Sequence, residues 1–269
     1  MTPLHAVVLG IIQGLAEFLP ISSSAHLVLA PWLLGWEDPG LAFDVALHVG
    51  TLVALLWYFR AEWLRLASSA LVVCRTRSLQ GPEERRLAYL VVGTIPGGIA
   101  GILFEQKADV AFRAPVLVAC ALIVLGILLW VADAACPARR SLDEVRWRDA
   151  LLIGVAQAFA IVPGVSRSGS TITAGRALGF GRESAAVFSF LLSMPIIAGA
   201  AVHELPRLSH AGFAAPLLIG VVCAAVSGWF AIAVLLQFVK RHSYGVFAVY
   251  RVLVGAAVLA IVVLRARHG

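Results

Sequence analysis

The chain has 269 residues, 61% of them hydrophobic and 13% charged, with a mean hydropathy of +0.93. A soluble domain of this length does not carry so much apolar surface, so the sequence reads as an all-α integral membrane protein. The net charge of +6 comes without a basic, aromatic-studded soluble segment, which argues against a nucleic-acid partner.

Residues 1–10 hold no Lys or Arg and no clear cleavage site, so they make a poor signal peptide. Residues 3–35 are apolar but interrupted at Pro20. Full spans follow at about 41–60, 87–104 and 114–132. Residues 149–180 are again apolar and interrupted, at Pro163-Gly164, and further spans follow at about 184–202, 213–239 and 246–265. Proline within a helix removes a hydrogen bond and clashes with the preceding turn. Freed backbone at membrane depth survives only where protein or a water-filled cavity covers it. The two interrupted segments therefore read as re-entrant hairpins of two half-helices, with kinked helices or short spans as the plainer reading.

The order is hairpin, three spans, hairpin, three spans. Gly10, Gln13 and Pro20 correspond to Gly154, Gln157 and Pro163, a weak repeat of about 144 residues. Three spans per copy require the second copy to be upside down. The expected fold is thus a single membrane domain of six transmembrane helices plus two re-entrant hairpins in an inverted-topology repeat, about 1–135 and 149–269. Charge gives the same count. With the 60–87 loop inside, the inner side receives Arg60, Arg65, Arg75, Arg77, Arg85, Arg86, Arg139, Arg140, Arg146, Arg148, Arg176, Arg182, Lys240 and Arg241. The outer side receives only Lys107, Arg113, Arg207, Arg265 and Arg267. This is a strong positive-inside bias and puts both termini outside. Trp32, Trp36, Trp57, Trp63, Trp130 and Trp147 fall near segment ends, as in an interfacial belt. Cys74, Cys120, Cys136 and Cys223 lack metal-ligand spacing and receive no role.

Each interruption ends in hydroxyls around an ionisable group. In the first, Gln13 and Glu17 share a helix face, and Ser22 and Ser23 can share the next half-helix face with His26. Carboxylate, hydroxyls and imidazole offer a cation ligand, a nucleophile and a base. Charged groups at membrane depth read as functional by default; a structural Glu17–His26 pair is the bland reading. In the second, Arg167 lies among Ser166, Ser168, Ser170 and Thr171. A guanidinium, hydroxyls and half-helix N–H groups suit phosphate oxygens; a snorkelling interfacial arginine is the alternative. Asp44 and His48 share a helix face, either as support for the site or as a plain intrahelical pair. Glu183, His203 and Glu204 read as solvated span ends. Arg251, after Tyr250, is a candidate for a lipid headgroup.

The run from Gln13 to His26, QGLAEFLPISSSAH, is similar to the first signature of the bacitracin-resistance family of undecaprenyl-diphosphate phosphatases. Pro163 to Thr171, PGVSRSGST, is similar to the second, and Phe188–Pro195 and Phe247–Arg251 are also family-like. The resemblance covers almost the whole chain. It implies an enzyme of the bacterial cytoplasmic (inner) membrane that converts undecaprenyl diphosphate to the monophosphate carrier lipid for peptidoglycan synthesis. It also implies dependence on Mg²⁺ or Ca²⁺, and a site at Glu17, Ser22, Ser23, His26, Ser166, Arg167 and Thr171. Ala25 stands where glycine is usual and Ala16 where threonine is usual. Gln13 replaces a glutamate of some members, which argues against a two-carboxylate metal site.

The residues and the resemblance agree on phosphoryl transfer, which needs positioning and charge neutralisation. Arg167 and the hydroxyls of Ser22, Ser24, Ser166, Ser168, Ser170 and Thr171 are expected to bind the diphosphate, and Glu17 to hold a divalent cation. Ser23 is expected to attack with His26 as base; water or His26 itself as nucleophile stays open. The partners expected are this lipid substrate and membrane lipids, with a homodimer left open. The competing reading is a transporter or flippase for an anionic lipid or solute, since broken helices in inverted repeats also build transporters. A lipid phosphatase of the two-histidine, lysine–arginine kind lacks its histidine pair here.

Overall fold

The computed structural model describes residues 1–109, 111–211 and 215–268, and their side chains except at 41, 105–109, 111, 204–211 and 268. The side chains of Lys107, Glu204 and Arg207, and residues 213 and 214 of one expected span, lie outside the described residues. The described chain is helical throughout. Its α-helices are α1 (Pro3–Phe18), α2 (Ser23–Leu34), α3 (Leu41–Tyr58), α4 (Arg60–Thr76), α5 (Pro82–Asp109), α6 (Pro115–Ala135), α7 (Trp147–Ala158), α8 (Arg167–Ala177), α9 (Arg182–Ala211), α10 (Ala215–Val239) and α11 (Gly245–His268).

Helices α5, α6, α9, α10 and α11 are each long and apolar enough to cross a membrane. Both interrupted segments are pairs of short helices: α1 with α2, and α7 with α8. The chain is an integral helical membrane protein. One expectation is corrected. The 60–87 segment is not simply a loop, because α4 occupies its first part and meets α3 at 84°. Helix α3 and helix α4 are apolar enough to count together as one span bent between them. Charge at Arg60, Glu62, Arg65 and Arg75 hid this helix from a reading based on apolar runs. It buries only Leu66 and Ser69, with Trp63 packed against the main core.

Local chemistry sets the ends. Thr2 Oγ1 accepts the His5 N–H, and Pro3 occupies the first turn of α1, where its missing N–H costs nothing. Helix α2 stops at Gly35, which takes φ +69 as a left-handed cap.

Ion pairs and ring contacts sort the helix ends into two sets. At one end, Arg86 bonds Asp143 at 2.6 Å and Glu62 at 3.4 Å. Asp133 there takes Arg176 and Arg182, each at 2.8 Å, and the Tyr244 N–H at 3.0 Å. At the other end, Arg113 holds Asp38 at 2.8 Å and Asp44 at 2.9 Å. His5 stacks on Trp36, and Arg265 lies over Trp32. These are the two sets that the charge count separates, so α1 and α7 enter the bundle from opposite ends.

The entering half-helices pack by close backbone approach. A Cβ on Gly10 would lie 2.4 Å from the Gly220 carbonyl of α10, and one on Gly154 would lie 2.3 Å from the Gly93 carbonyl of α5. Small residues of this kind let membrane helices touch backbone to backbone.

Arg251 joins the two interruptions and overturns the headgroup reading. It is 0% exposed. Its guanidinium donates to the Pro20 carbonyl at 3.2 Å, Gly164 at 2.7 Å, Val165 at 3.0 Å and Leu122 at 3.3 Å. No carboxylate bonds it among the described residues. The carbonyls after α1 and before α8 carry the negative ends of peptide dipoles, and these face the cation. Arg251→Met should leave these acceptors unbonded, at about 1–3 kcal/mol for each one that stays buried. A melting temperature in detergent well below wild type is the expected result, and an unchanged one would remove Arg251 from this role.

Candidate active site

The site begins where α1 ends. Leu19 turns extended, and Ser22 then takes φ +76. Ser166 takes φ +71 at the matching point before α8. Such a backbone costs of order 1–3 kcal/mol in a non-glycine residue and needs surroundings that hold it. Each serine caps its own helix: Ser22 Oγ accepts the Ala25 N–H at 3.3 Å, and Ser166 Oγ the Gly169 N–H at 3.0 Å. Ser22 Oγ also accepts the Gly164 N–H at 3.1 Å, across the two tips. The turn brings the first residue of each following half-helix, Ser23 and Arg167, onto one carboxylate.

That carboxylate is Glu17. Its Oε1 accepts from Arg167 Nη2 at 2.7 Å. Its Oε2 accepts from Ser23 Oγ at 2.6 Å and Gln13 Nε2 at 3.0 Å, and lies 3.3 Å from His48 Nε2. Arg167 is fixed by a second bond from Nη1 to the Ser189 carbonyl at 3.2 Å. Thr171 Oγ1 bonds the Arg167 carbonyl at 2.7 Å and the Ser189 hydroxyl at 2.6 Å.

The two histidines differ. His26 Nδ1 lies 2.7 Å from the Ser22 carbonyl, which only accepts, so Nδ1 carries the proton. Its Nε2 lies 2.8 Å from the Tyr250 hydroxyl, which can either donate or accept. His48 Nδ1 lies 2.7 Å from the Asp44 carbonyl and Nε2 3.3 Å from Glu17 Oε2, so the ring is held by an oxygen at each nitrogen. Glu17 thus sits between the Arg167 guanidinium and the His48 ring.

Several expectations change. His26 bonds the Ser22 carbonyl and the Tyr250 hydroxyl; the acceptor of the Ser23 hydroxyl is Glu17. Asp44 and His48 are not a side-chain pair, because the Asp44 carboxylate belongs to Arg113. The hydroxyl cradle is largely a backbone scaffold: Ser22 and Ser166 are caps, Ser168 bonds the Leu19 carbonyl, and Ser170 and Thr171 bond that of Arg167. Arg167, half-exposed Ser24 and the first N–H groups of α2 and α8 remain as donors for an anion. Gln13, Ser189 and Tyr250 were not singled out by sequence as site residues, although Ser189 and Tyr250 lie inside quoted motifs.

A resident metal does not fit these donors. Among the described residues Glu17 is the only carboxylate at the junction of the tips, and both its oxygens already carry protein donors. Among the described residues no group of three or more His, Cys, Asp or Glu is placed to hold a metal ion.

The model of the family described as "Bacitracin resistance protein BacA" matches residues 6–257. The chain belongs to the BacA family. Among curated relatives it is 58% identical over 261 residues to an undecaprenyl-diphosphatase of Gemmatimonas aurantiaca, covering 97% of this chain and 98% of that one. It is 51% identical over 266 residues to one of Geobacter sulfurreducens, covering 97% and 98%. A third, from Pelotomaculum thermopropionicum, is 50% identical over 265 residues, covering 98% of each. BacA membership thus covers both interruptions and every residue on Glu17.

Arg167 supplies the sharpest test of this arrangement. Lysine keeps the charge but loses the planar fork that reaches Glu17 and Ser189 together. Arg167→Lys should lower kcat/KM by about 2–3 kcal/mol of transition-state stabilisation, roughly thirtyfold to over a hundredfold. Near-normal kcat/KM in a well-folded variant would remove Arg167 from the site.

Proposed function

We propose that this chain is an undecaprenyl-diphosphate phosphatase of the bacterial inner membrane. It removes the terminal phosphate of undecaprenyl diphosphate, giving undecaprenyl phosphate and inorganic phosphate. The product re-enters peptidoglycan synthesis as the carrier lipid, and its recycling underlies bacitracin resistance. BacA membership and the full-length relatives favour this over a transporter or flippase. The observation that carries the chemistry is the 2.6 Å bond from Ser23 to Glu17 with Arg167 on the other oxygen. An anion-transport site has no need of a hydroxyl held on a carboxylate.

The diphosphate enters against Arg167, Ser24 and the N-termini of α2 and α8. Ser23 Oγ attacks the terminal phosphorus as its proton passes to Glu17 Oε2. The bond from that phosphorus to the bridging oxygen breaks, and its electron pair leaves on undecaprenyl phosphate. Water then attacks the phosphoserine and gives a proton to His26; the P–Oγ bond breaks with its electron pair on Oγ, Glu17 returns its proton to Ser23, and His26 loses its proton as inorganic phosphate departs. Positioning carries most of the rate, because the transition state of phosphoryl transfer is loose. His26, half-buried beside Ser22 and bonded to Tyr250, is the imidazole available for the water step. A divalent cation, Mg²⁺ or Ca²⁺, brought in with the substrate would neutralise diphosphate charge and would ask for few protein ligands.

Three measurements test this reading. Purified protein should release phosphate from undecaprenyl diphosphate, and excess chelator should abolish release; full activity in chelator would remove the cation. Ser23→Ala should lose about three orders of magnitude in kcat or more, and acid-quenched wild-type protein should carry phosphoserine at position 23. Activity of Ser23→Ala within tenfold of wild type would leave water as nucleophile. For topology, in a background without native cysteines, Glu37→Cys should react with a membrane-impermeant thiol reagent in intact cells and Arg77→Cys should not. The reverse pattern would invert the charge-based orientation.

A further inference from the structure

His48 lies on α3, outside both interruptions and both signatures, yet its ring reaches the carboxylate at the centre of the site. We propose that His48 is a positioning residue of the phosphatase, holding Glu17 in the one orientation that serves Ser23 and Arg167 together. The inference rests on the Ser23–Glu17 chemistry proposed above.

Nε2 lies 3.3 Å from Glu17 Oε2, the same oxygen that accepts the Ser23 hydroxyl. A carboxylate bonded only by Ser23 and Arg167 can still rotate about its terminal torsion, which is broad and roughly two-fold. The third and fourth donors, Gln13 and His48, remove that freedom. Gln13 sits one turn earlier on the same helix and pulls along the axis of α1. His48 pulls from a different helix.

The ring itself is anchored. Its Nδ1 bonds the Asp44 carbonyl at 2.7 Å, and the His48 carbonyl accepts from Thr51 at 2.9 Å. The Asp44 carboxylate is tied to Arg113 at 2.9 Å, and Arg113 is tied in turn to Asp38. The same helix is pressed onto α10 at Gly50, where a Cβ would lie 2.3 Å from the Val221 carbonyl. The His48 side chain is 24% exposed, so the ring is not sealed in the core. A purely structural polar pair does not need a ring held at both nitrogens.

The test uses full-length protein in detergent, undecaprenyl diphosphate as substrate, and kcat and KM measured separately. His48→Ala should lower kcat by about tenfold to a hundredfold, the cost of a small misplacement of a reacting group, with KM within about twofold. His48→Gln puts an amide nitrogen where Nε2 stands and should recover kcat to within about fivefold of wild type. Melting temperatures must stay near wild type for both; a structural role would lower them and would shift KM as well. In a Glu17→Gln background, His48→Ala should cost nothing further. Normal kcat in His48→Ala, or no recovery in a folded His48→Gln, overturns the proposal. If His48→Ala does not fold, the Gln variant decides, since its turnover must then exceed that of Glu17→Gln by tenfold or more. Glu17→Gln with wild-type turnover would sink the Ser23–Glu17 mechanism instead, whatever His48 does.

Discussion

The bond between Arg167 and Glu17 is the constraint around which the molecule is arranged. A lone carboxylate or guanidinium is costly at membrane depth. Here each meets the other where two half-helices from opposite ends of the bundle break off. The match requires α1 to stop within a turn of Glu17 and α8 to start at Arg167. Both conditions depend on the serines at φ +76 and +71, and those turns depend on Arg251 beneath them. Glycine contacts at Gly10 and Gly154 set how deeply each arm enters. The long helices serve as walls that hold two tips in register.

Most hydroxyls in the tips serve the backbone before they serve a substrate. Serine caps, Thr171 and Ser168 satisfy carbonyls and N–H groups that the interruptions leave open. Freed peptide groups would otherwise face an apolar interior. This separates two functions that the sequence blends into one motif. Ser23 and Arg167 touch the Glu17 carboxylate; Ser22 and Ser166 make that contact geometrically possible.

The two-sided fold was legible in the sequence because hydropathy and arginine placement report solvent directly. Pro20 and Pro163-Gly164 marked the interruptions, and Glu17, Ser23 and Arg167 stood out as polar groups where polar groups are costly. Helix α4 escaped because its apolar residues are diluted by charge. The partner of Ser23 escaped because spacing along one helix favours His26, whereas the closer acceptor is Glu17 across the turn. His48 was visible only as a neighbour of Asp44, since no local pattern reports which helix α3 will pack against. The repeat is also incomplete in a way that pattern matching passes over. Gln13 bonds Glu17, whereas the Gln157 side-chain amide has no hydrogen-bond partner among the described residues, and Ile161 stands where a second carboxylate would be.

Glu17 and Arg167 lie 150 residues apart. At about 5–20 residues per second, the ribosome delivers the cation on the order of ten seconds after the anion. Throughout that interval the nascent first arm holds an acidic group without its eventual counter-charge. His48 arrives only two helices after Glu17, and its ring is an early donor from a separate helix. The contact proposed to orient the carboxylate in the finished enzyme is therefore also one that can shelter it during membrane insertion. A chain interrupted between the two halves would expose that dependence as a half-protein that the membrane tolerates only while the imidazole is in place.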